Sequence, residues 1–115
     1  MQSLRSTGAT LAVAASLLFC APGFGSPSTG ADLLLNCTQH SDDLLEGYCS
    51  GFIQGVAQAL SRRGDPDHIC LPGGTDPKTL HRLVVDALRL STQEQRNRDA
   101  GELVVEALTA AYRCH

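Results

Sequence analysis

The chain has 115 residues, 43% hydrophobic and 18% charged, with 9 Lys and Arg against 12 Asp and Glu and a formal net charge of −3. That length holds one domain with one modest core and excludes a multi-domain enzyme. The acidic balance, the single Lys, three Phe, two Tyr and no Trp exclude a nucleic-acid binder acting through bulk charge or base stacking.

The chain opens with one positive charge at Arg5, and Leu11 to Phe19 is apolar apart from Ser16. Small residues and turn formers follow at Pro22, Gly23, Gly25 and Ser26. A basic start, a short apolar run and small residues read as a secretory signal peptide over residues 1–25, with Ala21 as a second cleavage position. The run falls short of the roughly 20 residues a membrane span needs. Cys20 follows Phe19, whereas a lipobox wants a small residue there, so lipidation is not expected. Cleavage leaves a 26–115 domain that has lost only Arg5 among its charged groups.

The exported part holds Cys37, Cys49, Cys70 and Cys114. An even cysteine count in a small exported chain points to two disulfides, with three connectivities open. A zinc reading would use Cys37 with His40, or His68 with Cys70, joined by Cys49 or by Cys114 and His115. No C-x2-C pair or finger spacing supports it, so no metal and no cofactor are expected.

Residues 26–30 read as a flexible lead-in, and Ala31 to Thr38 as a short helix with Leu33, Leu34, Leu35 and Cys37 apolar. A second helix starts at a Ser41 cap, with Asp42 and Asp43 at the positive end of its dipole. Leu44, Leu45, Tyr48, Cys49, Phe52, Ile53, Val56, Ala57 and Leu60 make one continuous apolar face. Gly64 is placed to end this helix. Gly47, Gly51 and Gly55 recur every four residues within it, each costing about 1 kcal/mol of helix propensity. The cost is expected to be offset by close approach of another backbone. A helix crossing inside the core is the favoured reading, and a dimer or partner contact is the other.

Arg63 to Asp76 is a loop punctuated by two Pro and three Gly, long for a small domain and therefore either functional or tied down, with Cys70 as the tie. A third helix starts at Thr75 or Asp76 with Pro77 in its first turn, and buries Leu80, Leu83, Val84, Ala87 and Leu88. A fourth opens on an S-x-x-E capping box at Ser91 and buries Ala100, Leu103, Val104, Ala107, Leu108 and Ala111. The expected fold is all-α: a small disulfide-stapled bundle of about four helices, orthogonal or up-down.

Catalytic signatures are missing: there is no G-x-S-x-G, P-loop, H-E-x-x-H or C-x-x-C. Asp42 and Asp43 are explained by the helix start, and Asp65 and Asp67 by a solvated turn beside His68. The chain reads as a binding protein, not an enzyme.

Three segments carry a family resemblance. Tyr48 to Val56 resembles a Y-C-x-G-[FY]-[IV]-x-G segment, Cys70 to Thr75 a C-L-P-x-G-x-[ST] loop, and Ala100 to Cys114 an A-x2-L-V-x2-A-L-x2-A-[FY]-x-C tail. In this order they resemble the Rap/Tai family of immunity proteins of bacterial type VI secretion systems, over residues 31–115. Arg113 stands where the family pattern commonly has Pro, and Gly74 where Val is more usual. The resemblance implies a periplasmic, mostly helical protein that often dimerises and blocks the papain-like Cys–His cleft of a peptidoglycan amidase effector without chemistry of its own. The cognate cell-wall amidase is then the partner, with neither nucleic acid nor, after signal cleavage, membrane.

The loop 64–75 is the segment best suited to protrude, with Asp65, Asp67, His68, Gly73 and Gly74 as contacts, and Arg82 and Arg89 on the third helix adding opposite charge. An up-down arrangement favours Cys37 with Cys49 and Cys70 with Cys114; Cys37 with Cys114 is the pairing that would overturn it. The rival function is a periplasmic helical chaperone or adaptor without a dedicated toxin.

Overall fold

A computed structural model describes residues 29–62 and 68–115, together with Gly8 and Pro27. The expected signal segment apart from Gly8, the Gly64 helix end, Asp65 and Asp67 lie outside the described residues. The described chain is all-α: α1 is Gly30–Thr38, α2 Asp43–Arg62, α3 Pro77–Leu90, α4 Gln93–Arg96 and α5 Ala100–Ala111.

Helix α1 begins earlier and more firmly than a flexible lead-in allows. Thr29 forms a capping box with Asp32: its hydroxyl accepts from the Asp32 N–H, and the Asp32 carboxylate accepts from the Thr29 N–H, both at 3.2 Å. Gly30 is buried, and a Cβ there would meet Leu103 and sit 3.2 Å from the Arg96 carbonyl oxygen. This is the close backbone approach that demands glycine.

Helix α2 starts one residue later than expected, because Asp42 rather than Ser41 accepts from the first N–H groups, those of Leu44 and Leu45. Its buried face is Cys49, Ile53, Ala57 and Leu60, with Phe52 and Val56 half-buried against the core. Leu44 does not join this face and is 66% exposed. The glycine ridge corrects a second expectation. Gly47, Gly51 and Gly55 are exposed, and no described atom lies within 4 Å of a Cβ built on any of them. No described helix crosses there. Alanine at each position is therefore expected to stabilise the fold by about 0.5–1 kcal/mol through helix propensity alone. Urea unfolding of the three single variants tests this.

Helix α3 follows its cap: the Asp76 carboxylate accepts from the Thr79 N–H at 2.7 Å, and Pro77 takes the first helical position. That hydrogen bond, with Lys78 and Arg82 nearby, holds the Asp76 carboxyl below its ordinary value of 3.8. A carboxyl depressed on folding contributes stability above its unfolded pKa and loses it as pH falls through the folded value. Asp76→Ala is thus expected to lower the melting temperature at neutral pH, and the gap to the unaltered protein should close as pH drops below about 3.8. Val85 joins Leu80, Val84 and Leu88 in the buried stripe, while Leu90 is 88% exposed.

The expected fourth helix is two. Thr92, not Ser91, caps α4 in a box with Gln95, and the turn ends at Asn97. Asp99 then caps α5 by accepting from the Glu102 N–H. The break is held from outside: the Gly30 N–H donates to the Arg98 carbonyl at 3.1 Å, and Thr29 and Asp99 form an antiparallel bridge. Arg98 spans the joint to Glu102 and Glu106 on α5, at 3.4 and 2.6 Å, on an exposed face where ion pairs contribute little.

The core gathers Leu33 from α1, Ile53 from α2, Val84 from α3, and Val104 and Leu108 from α5, all fully buried. Helix α1 packs on α2, α3, α4 and α5, so the shortest helix but one is the hub. Cys37 pairs with Cys49, joining α1 to α2 inside the core, and Cys70 pairs with Cys114, joining the loop after α2 to the chain end.

Candidate functional site

The segment after α2 is anchored at its base and exposed at its tip. Ile69 is buried, its N–H donates to the Leu60 carbonyl, and it bridges Arg113 in antiparallel fashion. The Cys70 N–H donates to the Tyr112 carbonyl at 2.9 Å, next to the Cys70–Cys114 disulfide. His68 is half-buried, with Nε2 at 3.8 Å from Cys70 Sγ.

From this base Pro72, Gly73 and Gly74 run out as an exposed turn. It is closed by Thr75, whose N–H and hydroxyl both donate to the Pro72 carbonyl, at 3.1 and 2.7 Å. Gly74 has φ +85°, in the left-handed region that a β-branched residue rarely enters. This accounts for glycine where the family pattern has Val: the turn here needs it. Gly74→Val is expected to strain the tip by about 1–3 kcal/mol and to weaken partner binding if the tip is a contact. Calorimetric titration against the partner, set beside the variant's melting curve, separates the two effects.

Arg82 and Arg89 are exposed on a different face of α3. They line a concavity of about 340 Å³ with Cys37, His40, Glu46 and His81, not the loop tip. The tip instead adjoins a small groove where Leu71, Thr75 and Pro77 meet Gln54 and Gln58 of α2. The expected contacts thus fall into two regions: Gly73 and Gly74 on the turn with His68 at its base, and Arg82 and Arg89 on α3.

Sequence reasoning missed a third feature. A concavity of about 650 Å³ lies between the first turns of α2 and α3, lined by Asp43, Glu46 and Gly47 on one side and Asp76, Lys78 and His81 on the other. Gly47 leaves part of this space open, which gives the first glycine of the ridge a place in the surface and none in the core. The spacing of Asp43, Glu46 and Gly47 marks one helix face, but nothing local says that the start of α3 stands opposite.

All four described cysteines are in disulfides and none is a free nucleophile. Among the described residues no helix is long and apolar enough to cross a membrane. The described residues form a small disulfide-joined helical fold with an anchored, exposed turn. The chain belongs to the Rap1a immunity proteins, a family that matches residues 29–114 and so spans every described helix. No curated protein matches the chain.

Proposed function

We propose that this immunity protein acts in the periplasm, after removal of residues 1–25, by binding a peptidoglycan amidase delivered by a type VI secretion system and covering its active-site cleft. The observation that carries this reading is the family match over residues 29–114. The anchored turn supports it: a tip whose base is fixed by a disulfide, a backbone bridge and a buried Ile69 loses less conformational freedom on binding than a free loop. A partner of ordinary size covers about 800 Å² of this chain, more than the tip alone offers. His68 at the base of the turn, with Asp65 and Asp67 just before it in sequence, extends the contact, Arg82 and Arg89 supply a second charged region, and two copies associate as a dimer.

The action is steric. Filling the cleft excludes the peptide of the cell wall from a papain-like Cys–His pair, and no bond is made or broken by the inhibitor. The test is survival of cells that express the strain's amidase effector in the periplasm, with and without the exported chain. Protection by the exported chain but not by a leaderless one supports the reading. Equal lysis in both overturns it.

A further inference from the structure

The Cys37–Cys49 disulfide is not alone in its pocket. Both sulfurs and a ring nitrogen of His81 lie within 4.8 Å of one another, and thiolate sulfur and imidazole nitrogen are the two ligand types that zinc-type ions prefer. The three residues come from α1, α2 and α3 respectively. The His81 ring is held in place by a bond that does not involve sulfur: Nε2 donates to the Cys37 carbonyl at 3.2 Å. Cys37 and His81 also line the 340 Å³ concavity, which gives an ion a path from solvent. His40 and Glu46 line the same concavity, outside the group of three, and water can complete the coordination. Lys78, Arg82 and Arg89 oppose a cation there, and Glu46, Asp86 and two thiolates outweigh them only once the disulfide is open.

We propose that reduction of Cys37–Cys49 creates a binding site for one soft divalent cation of the Zn²⁺ type, held by Cys37, Cys49 and His81. A dithiol reductant supplies two electrons and two protons and itself becomes a disulfide. The Cys37–Cys49 S–S bond breaks and two thiols form. The ion then displaces both thiol protons to solvent and binds two thiolates and the imidazole. In tetrahedral zinc, with Zn–S about 2.3 Å and Zn–N about 2.0–2.1 Å, the two sulfurs part from the 2.03 Å of the disulfide to roughly 3.7 Å, which still lies inside the 4.8 Å span that holds all three ligand atoms. The ion joins α1 to α2 as the disulfide did and adds α3, so it replaces the staple where the disulfide is open. This site does not depend on which effector the protein neutralises.

The full chain, reduced with a phosphine at neutral pH, is titrated with Co²⁺ and then with Zn²⁺. The expected result is a thiolate-to-cobalt charge-transfer band saturating at one ion per chain, absent from the oxidised protein and bleached by Zn²⁺. His81→Ala should weaken binding about tenfold or more, His81→Cys should regain it by restoring a soft ligand, and His68→Ala should leave it unchanged. Bound Zn²⁺ should protect Cys37 and Cys49 from iodoacetamide ahead of Cys70 and Cys114. No band in the reduced chain, a band that persists in His81→Ala, or protection confined to Cys70 and Cys114 beside His68 would overturn the proposal.

Discussion

Replacing Cys70 and Cys114 together by serine is expected to lower the unfolding free energy by about 4 kcal/mol. The two are 44 residues apart in sequence, and in the chain-entropy account a loop of that length frees the unfolded state by this amount when its link is removed. Cys70 is exposed and Cys114 half-buried, so serine adds little desolvation cost of its own. The Ile69–Arg113 bridge and the Cys70–Tyr112 hydrogen bond remain and hold the base of the turn in the folded variant. The link therefore acts mainly through the unfolded chain. Urea unfolding of the oxidised protein and the double variant checks this. A loss below about 1 kcal/mol would mean that the reduced, unfolded chain keeps these segments together without the bond.

Leu33→Ala carries the second large effect. Leu33 is fully buried on α1, and α1 packs on every other described helix, so the space vacated has walls on all sides and closes poorly. Such truncations cost about 2–5 kcal/mol, and the upper half of that range is expected here. A small domain has about 5–15 kcal/mol in total, so the variant should melt well below the parent. Leu35→Ala on the same helix is the control: Leu35 is 57% exposed, and its loss should change stability by less than about 0.5 kcal/mol. Equal losses at 33 and 35 would refute α1 as the hub of the core.

Much of the fold could be read from local chemistry. Helix α2 announces itself through its four-residue apolar doublets and α3 through Asp76 and Pro77; four cysteines left three pairings open, and the one an up-down order favours is the one that forms. What escaped was set by contacts distant in sequence. The break between α4 and α5 depends on Gly30 and Thr29, some seventy positions away, bonding Arg98 and bridging Asp99. For the same reason Gly30 looked like linker and is core, while Gly47, Gly51 and Gly55 looked like core and are surface. A glycine's sequence says that something about the backbone is special there, but not which element stands opposite. Leu44 completes an apolar period on paper, yet it sits in the first turn of α2, beyond the reach of the core.

The candidate surface was legible in part. The Pro- and Gly-rich loop with a cysteine tie was visible as a segment, and the structure fixes it at Ile69 and Cys70 and exposes Pro72 to Gly74. The separation of Arg82 and Arg89 from that turn was not visible, because it depends on which face of α3 meets α2. The concavity between the starts of α2 and α3 was missed because its two walls lie thirty residues apart.

The central claim is that this chain silences a cell-wall amidase by covering its cleft. The most direct measurement captures the amidase effector of the same strain on the oxidised 26–115 chain and assays its cleavage of peptidoglycan fragments as the chain is titrated in. Immunity by occlusion predicts a stoichiometric complex whose activity falls to zero at equivalence and returns when a Gly74→Val tip weakens binding. An amidase that stays fully active at saturating chain, or that binds weakly among many other partners, would contradict it.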